Sequence, residues 1–217
     1  MLKIILLVTC FSILNASKLD NIINKYEDFL NIKLLDMNKN IESQLHIKYF
    51  KLHDKLSNEM VPAICLKVKN FDQVFYVSLH TTILSSYHNT TQLWIYKNNP
   101  FQNVVCKNIR INKKLKIYLN FTKKDILNGY RNSPNYKISQ SDRRAFYDES
   151  ISMGNSKLVK YNEQEISQLH LSKHKDIDWF LYKSIGFNFK NNKVKSYSII
   201  KTVEGNRKKT KKGISKK

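Results

Sequence analysis

Residues 178–200 decide the fold of this chain, and they read DWFLYKSIGFNFK (178–190), NN (191–192) and KVKSYSII (193–200). Both long runs are rich in aromatic and β-branched residues, which fit the pleated surface of a strand. Asparagine tolerates the left-handed backbone that a tight turn requires, so Asn191–Asn192 is a turn signal. The stretch therefore predicts a terminal β-hairpin.

Similar strand-like runs occur earlier in the chain, where apolar residues alternate with polar ones. A period of two is typical of strands with one buried face. Turn-forming residues, such as those at 97–100, separate the runs. Six or seven short strands in succession predict an antiparallel sheet over residues 31–121; the runs are 31–37, 44–52, 62–69, 73–80, 91–97, 102–107 and 114–121.

The remaining segments have a different pattern. Residues 18–30 carry apolar side chains every three or four positions, which predicts a short amphipathic helix. Residues 123–129 predict one or two helical turns that end at Gly129, and residues 162–170 predict another short helix. The polar stretch 130–147 predicts a linker or long loop. The predicted fold class is therefore α+β, mainly an antiparallel β-sheet with a few short helices.

The first seventeen residues have the order of a secretory signal peptide. A positive start at Lys3 precedes an apolar run from Ile4 to Leu14, and a small, polar segment, Asn15–Ser17, follows. The run is shorter than the roughly 20 apolar residues that a transmembrane helix needs. We therefore predict a secreted mature chain with no transmembrane segment.

These observations divide the chain into four parts. Residues 1–17 are the signal peptide, and residues 18–121 form a helix plus a β-rich domain. Residues 122–204 supply a linker, a short helix and the terminal hairpin, packed on the same domain. Residues 205–217 are a disordered basic tail. The length of the mature chain fits one ordinary domain.

The charge of the chain is strongly positive. Lysine and arginine number 38 against 17 acidic residues, for a formal charge of +21. Abundant asparagine, lysine, isoleucine and tyrosine are typical of an AT-rich genome, so part of this excess is compositional background. Clustering at the end of the chain is more informative. The basic residues there are Arg207, Lys208, Lys209, Lys211 and Lys212. They predict a tail that acts as a nuclear-localisation signal or binds anions, and the alternative is a tail that only makes the protein more soluble.

Two cysteines remain once the leader, with Cys10, is removed. In an oxidising secretory route Cys65 and Cys106 could form a disulfide, and the alternative is a pair of buried, inert thiols in strands. Asn89 and Asn120 lie in Asn-x-Thr sequons and would carry glycans only in a host with that machinery.

Catalytic patterns are weak. His170 and His174 are four residues apart and could begin a metal site with Asp176 or Asp178, but two exposed histidines on a polar stretch explain the spacing as well. Five glycines offer little for a phosphate-binding loop. We therefore predict no catalytic, cofactor-binding or metal-ligating residue. Aromatic residues interleaved with lysine, as at Trp94–Lys97, could stack on nucleic-acid bases, but alternation favours core packing for them.

The order of features in the β-rich region resembles the FAINT domain, a module of secreted proteins of piroplasm parasites. The family pattern begins with an aliphatic-Asp-aliphatic segment and continues with aromatic strand residues, a strand tryptophan, a valine pair and a closing aliphatic strand. The family's phenylalanine-lysine-x-valine step before the tryptophan is missing here. The matching positions are Leu34–Met37, Tyr49, Phe75–Tyr76, Leu93–Trp94, Val104–Val105 and Leu115–Leu119. The resemblance implies a secreted, non-enzymatic effector of an intracellular parasite and transfers no site residue.

The function predicted from the sequence is that of a secreted interaction protein with an unknown protein partner, able to act on a host cell. One alternative is a nucleic-acid-binding effector that its basic tail directs to a nucleus. The same tail could also contact another anionic surface. Another alternative is a small secreted hydrolase or metal protein.

Overall fold

A computed structural model describes residues 19–31, 34–35, 47–54, 58–85, 87–130, 136–139, 149–162, 164–165, 169, 171 and 176–207. The architecture is mostly antiparallel β-sheet with helices, compatible with α+β. The predicted signal peptide and most of the basic tail, from residue 208 onwards, lie outside the described residues.

Short turns at 71–72 and 191–192 join neighbouring strands, whereas 97–106 and 160–176 are longer connections. Helix α1 covers residues 19–30, and helix α2 runs from Lys123 to Tyr130. The strands are β1 (Phe50–Asp54), β2 (Glu59–Asn70), β3 (Gln73–Ser85), β4 (His88–Tyr96), β5 (Lys107–Arg110), β6 (Tyr136–Ser139), β7 (Glu149–Val159), β8 (Ile177–Lys190) and β9 (Lys193–Arg207).

The nine strands of the described residues form one sheet, in the order β1-β2-β3-β4-β9-β8-β7-β6, with β5 beside β2. The short strand β5 runs parallel to β2 and pairs with its residues 66–69. Strand β1 pairs with residues 59–63 of β2 along the same edge. The last strand, β9, pairs with β4 in the middle of the sheet. Residues 122–207 therefore complete the sheet that residues 50–110 begin.

The core lies on one face of this sheet, which we call the helix face. Helix α1 buries a stripe spaced by three and four residues, including Ile23, Tyr26 and Leu30, as expected of an amphipathic helix. Phe29 of this helix stacks on Phe75 of β3, with ring centroids 6.3 Å apart. The irregular segment 111–121 covers the helix face beside α1, and its Tyr118 ring contacts other core rings edge-on.

Two ion pairs and a hydroxyl pair fix the position of α1. Lys183 of β8 and Asp20 lie 2.6 Å apart, and Lys201 of β9 pairs with Glu27 where both side chains are only 12% exposed. The Tyr26 hydroxyl donates to the Lys116 carbonyl (3.0 Å) and is hydrogen-bonded to the buried Tyr197 hydroxyl. Burial raises the pKa of Tyr197 well above its ordinary value.

Several predicted elements are confirmed. The amphipathic pattern at 18–30 gives α1, and the strand patterns at 62–69, 73–80 and 91–97 lie within β2, β3 and β4. The terminal hairpin is β8–β9, and both residues of its Asn191–Asn192 turn have positive φ. This geometry matches the twist of paired strands and favours asparagine. Helix α2 ends one residue later than predicted, at Tyr130, and begins with a capping box in which the Thr122 hydroxyl and amide both donate to Asp125.

Other predicted elements are wrong. The run at 114–121 is not a strand, because its apolar side chains fill the core while its backbone leaves the sheet. In the run at 31–37, Leu34 and Leu35 form a turn, and in the run at 102–107 only Lys107 belongs to a strand. Strands β6 and β7 lie mostly where the sequence predicts a linker or unassigned chain. Gly205 to Arg207 belong to β9, so the predicted tail does not begin at residue 205. The helix predicted at 162–170 lies largely outside the described residues.

Candidate functional site

The face of the sheet opposite α1 is polar and carries no charge at its centre. Strands β3, β4, β9, β8 and β7 align there in four rows of five residues, which we call the polar face. The rows are Tyr76, Tyr96, Ser196, Asn188 and Ser150; Ser78, Trp94, Ser198, Gly186 and Ser152; His80, Gln92, Ile200, Ser184 and Gly154; and Thr82, Thr90, Thr202, Tyr182 and Ser156.

The absence of charge from these rows is unexpected for this chain. Charged residues make up 25% of the sequence, so twenty average positions would hold five of them, and the four rows hold none. Small serine, threonine and glycine side chains dominate instead. A Cβ atom on Gly186 would lie 3.2 Å from the Ser198 hydroxyl oxygen, so glycine keeps this part of the face flat. The polar face is therefore uncharged in a strongly cationic protein. Seven of its twenty residues are at most 5% exposed: Ser78, His80, Thr82, Thr90, Gln92, Ser196 and Ser198.

Two aromatic rings stand on the polar face. Trp94 and Tyr96 are two residues apart on β4, and their rings are nearly parallel (15°) with centroids 6.1 Å apart. The Trp94 indole N–H donates to Gln92 Oε1 at 3.0 Å, which fixes the orientation of the indole ring. Both rings are half-buried and retain exposed surface. They form a preoriented aromatic platform of the kind that binding sites use.

The loop after β4 borders this platform. Its Phe101 packs against Tyr96 (6.1 Å between ring centroids) and against Phe50 of β1 (4.9 Å). The loop therefore bends back over the end of the polar face. A disulfide holds its far side, because Cys106 is bonded to Cys65 of β2 and their Cα atoms lie 4.7 Å apart.

A cavity of about 410 Å³ lies beside this disulfide, between residues 47–50 and 103–107. Val105 at its rim is 98% exposed. The cavity opens where β1 and β5 meet on the outer edge of β2. It adds depth at one border of the polar face.

Hydroxyl and amide groups on the polar face are partly paired with one another. The Thr90 and Thr202 hydroxyls lie 2.9 Å apart, and the Asn188 amide donates to the Ser196 hydroxyl at 3.0 Å. By contrast, Ser78 Oγ and Gln92 Nε2 are buried, and neither has a hydrogen-bond partner within the described part of the chain. A buried polar group without a partner costs about 1–3 kcal/mol. These two atoms are therefore an energetic cost to the folded protein beneath the surface of the polar face.

Most of the basic and histidine residues singled out from the sequence lie outside the described part of the chain. Arg207 is exposed at the end of β9, and Lys208, Lys209, Lys211 and Lys212 lie outside the described residues. His170 and His174 also lie outside them. Among the residues described, no three histidine, cysteine, aspartate or glutamate side chains cluster as metal ligands would.

Of the two sequons, one is incompatible with glycosylation in the folded protein. Asn89 is fully buried on the helix face, and its amide donates to the Leu169 carbonyl at 3.0 Å. Asn120 is exposed in a turn with positive φ. A glycan could therefore reach Asn120 but not Asn89 without unfolding.

Sequence reasoning placed Trp94 in the core, and the structure corrects this. Its neighbours Leu93 and Ile95 are buried on the helix face, whereas Trp94 and Tyr96 lie half-buried on the polar face. Phe187 and Phe189, by contrast, are core residues as the alternation predicted. The trace of the polar face in the sequence is the absence of charge at alternate positions of β3, β4, β8 and β9, but the sequence does not show that these positions share one face.

Within the described ranges, no helix combines the length and the apolar character required to cross a bilayer. Comparisons with protein-family models, curated proteins and solved structures give no match to this chain.

Proposed function

We propose that this protein is a secreted binding protein, not an enzyme, and that its polar face binds an uncharged, hydroxyl-rich ligand, namely a neutral glycan. The observation that supports this most directly is the set of four uncharged rows around the Trp94–Tyr96 platform. A binding role fits a face that is rich in hydrogen-bonding groups and has no charged side chain in its four rows.

The chemistry of the face suits a sugar. A sugar ring has an apolar C–H surface, which packs on an aromatic ring, and hydroxyl groups at its edge, which exchange hydrogen bonds. Trp94 and Tyr96 offer the first contact, and the exposed hydroxyl groups of Ser152 and Ser156 on β7 offer the second. A charged ligand would lose its hydration here without meeting an opposite charge, which is unfavourable. The face therefore selects for neutral polar ligands.

The size of the face also favours a glycan over a large protein. Four rows at two-residue spacing and five strands span about 20 Å by 19 Å, or about 400 Å². A standard protein–protein interface buries about 800 Å² on each partner. The face alone is half that size and accommodates a short oligosaccharide.

The setting we propose is that of a secreted parasite protein acting on a host cell. The leader-like residues 1–17 support export, and the FAINT-like features at 34–119 support membership of a family of secreted effectors. A binding role through a β-rich domain is consistent with both.

A glycan array followed by calorimetric titration tests the proposal. Wild-type protein should bind neutral oligosaccharides, and binding should be unchanged between low and physiological salt because no charge pair is formed. Trp94→Ala should weaken binding by about tenfold or more, since aromatic anchors dominate such sites. Phe71→Asn, at an exposed aromatic residue outside the four rows, is the matched control and should bind normally.

Two results would contradict the proposal. One is an array on which the protein binds no neutral glycan. The other is glycan binding that is equal in wild type and Trp94→Ala, because the platform would then have no part in it.

A further inference from the structure

The turn between β2 and β3 has an unusual residue at a strained position. Phe71 and Asp72 form a two-residue turn between the paired residues Asn70 and Gln73, and Phe71 has a φ of 51°. A bulky residue in this left-handed region is a genuine outlier. Among the described residues, the other non-glycine positions with positive φ are Leu35 and the asparagines Asn31, Asn58, Asn103, Asn120, Asn191 and Asn192.

Packing explains Leu35 but not Phe71. Leu35 is 6% exposed and belongs to an apolar cluster, so burial compensates its backbone strain. Phe71 is 56% exposed. Asparagine, which this chain uses at its other tight turns, would fit the same backbone with less strain. Because the fold itself gains nothing from an exposed aromatic side chain at a strained position, this residue points to contact with another molecule.

The turn is held rigidly. Asn70 is 4% exposed, and its amide donates to the Ile111 carbonyl (2.7 Å) and the Lys113 carbonyl (2.8 Å). The Ile111 amide in turn donates to the Lys69 carbonyl at 3.1 Å. Phe71 is therefore presented at a fixed tip. Val74, 46% exposed, lies beside it in register with Lys69.

This end of the sheet, which we call the basic end, is strongly cationic. It contains the turns at 71–72 and 191–192, the chain after β5 and the start of α2, which is joined to β9 by the Thr122–Lys193 bridge. Among the described residues, its carboxylates include Asp72 in the turn, Asp125 in the capping box, Asp28 near Lys113, and Glu149 of β7, whose backbone pairs with Phe189. Its cations are Lys69, Arg110, Lys113, Lys114, Lys123, Lys124, Lys190 and Lys193. The opposite end carries both signs, with Asp178 and Glu204 near Arg207.

We propose that the basic end docks on a membrane surface rich in anionic phospholipid, with Phe71 and Val74 inserted among the headgroups. An aromatic ring with an aliphatic neighbour suits the apolar side of the membrane interface. The surrounding lysines and arginine are attracted to the negative surface. Single-stranded nucleic acid would also meet the cations, but the exposed Val74 has no role in stacking on bases. This surface adjoins the polar face, because Val74 lies two residues from Tyr76 on the same side of β3, but the proposal does not depend on glycan binding.

Vesicle flotation with the full chain tests the proposal. Vesicles of phosphatidylcholine alone are compared with vesicles that also contain phosphatidylserine, and binding should require the anionic lipid. Phe71→Asn should lower the partition constant by about tenfold, from the apolar area that no longer inserts. Lys69→Gln with Arg110→Gln should lower it by about thirtyfold. The basic segment after Arg207 is identical in all variants, so its attraction to the vesicles cancels.

Matched controls separate docking from folding. Leu158→Asn removes an apolar side chain of similar exposure (52%) at the opposite end of the sheet and should leave partitioning unchanged. Phe71→Asn should keep or raise the melting temperature, because it relieves strain, whereas a residue with a structural role would lower it.

Three outcomes would overturn the proposal. They are equal binding to neutral and anionic vesicles, unchanged partitioning of Phe71→Asn, and a Phe71→Asn defect that is seen with single-stranded nucleic acid but not with vesicles.

Discussion

Ser78→Ala should make the free protein more stable, although most substitutions of buried residues destabilise. Ser78 is fully buried between Cys65 of β2 and Trp94 of β4. Its hydroxyl oxygen has no hydrogen-bond partner within the described part of the chain. Alanine removes only that oxygen, so the change leaves little cavity.

The magnitude follows from the hydroxyl group. An unmet buried polar group costs about 1–3 kcal/mol. Alanine fits a strand less well than serine by a few tenths of a kcal/mol, which offsets a small part of the gain. We therefore expect the free energy of unfolding to rise by about 1 kcal/mol and the melting temperature by about 3 °C for a chain of this size.

Urea denaturation followed by tryptophan fluorescence measures the change, and Ser196→Ala is the control. Ser196 is also buried on the polar face, but its hydroxyl accepts a hydrogen bond from Asn188 at 3.0 Å. Its replacement should destabilise the protein by about 1 kcal/mol. The Ser78 hydroxyl has no accessible surface, so Ser78→Ala should bind the glycan as the wild type does. A Ser78→Ala protein that is less stable than wild type would refute the reasoning.

Four further predictions concern other parts of the molecule. Glu27→Gln and Lys201→Met should each lower the free energy of unfolding by about 3 kcal/mol, because each leaves one buried charge without its partner. The double variant should lie within about 1 kcal/mol of wild type, and urea denaturation of the wild type and the three variants measures the coupling. Cys106→Ser should cost about 4 kcal/mol because it opens a loop with a sequence separation of 41, and reduction of the wild type should give the same loss in melting experiments. Because the pKa of Tyr197 is raised in the folded protein, the contribution of Tyr197 to stability is fully present below pH 10.0, the ordinary pKa of tyrosine. Above that pH the free energy of unfolding should fall by about 1.4 kcal/mol per pH unit. The Tyr197→Phe variant should lack this loss when unfolding is followed at alkaline pH. If the tail contacts nucleic acid, the slope of log binding constant against log salt concentration, measured by filter binding, should become shallower by up to about four units in a variant with four lysines changed to alanine. The four lysines are Lys208, Lys209, Lys211 and Lys212.

Local sequence patterns were sufficient to predict helices and strands in which one face is clearly apolar and the other polar. Helix α1 could be predicted because its apolar residues recur at helical spacing, and β8–β9 could be predicted because Asn191–Asn192 marks the turn. Strand β7 was missed because Glu149–Val159 is rich in serine, glycine and asparagine and takes its conformation from pairing with β8. Tertiary context overrides a weak local preference there.

The polar face could not be predicted because it depends on strand order. Trp94 looks like a core residue until β4 is known to pair with β3 and β9, and until α1 is known to cover the other face. Ser78 and Ser198 become neighbours of Trp94 only in this order, although they are 120 residues apart in sequence. Alternation shows that a strand has two faces, but it does not show which face the helix covers.

The central position of β9 has a consequence for how the protein is made. Strand β4 exposes an unpaired edge until β9, which ends at Arg207, has left the ribosome. Open strand edges pair readily with other chains, so a shortened or stalled product would be prone to aggregate. The sheet can close only after nearly the whole chain has been synthesised. Such late closure makes the C-terminal hairpin the step that commits the protein to its native state.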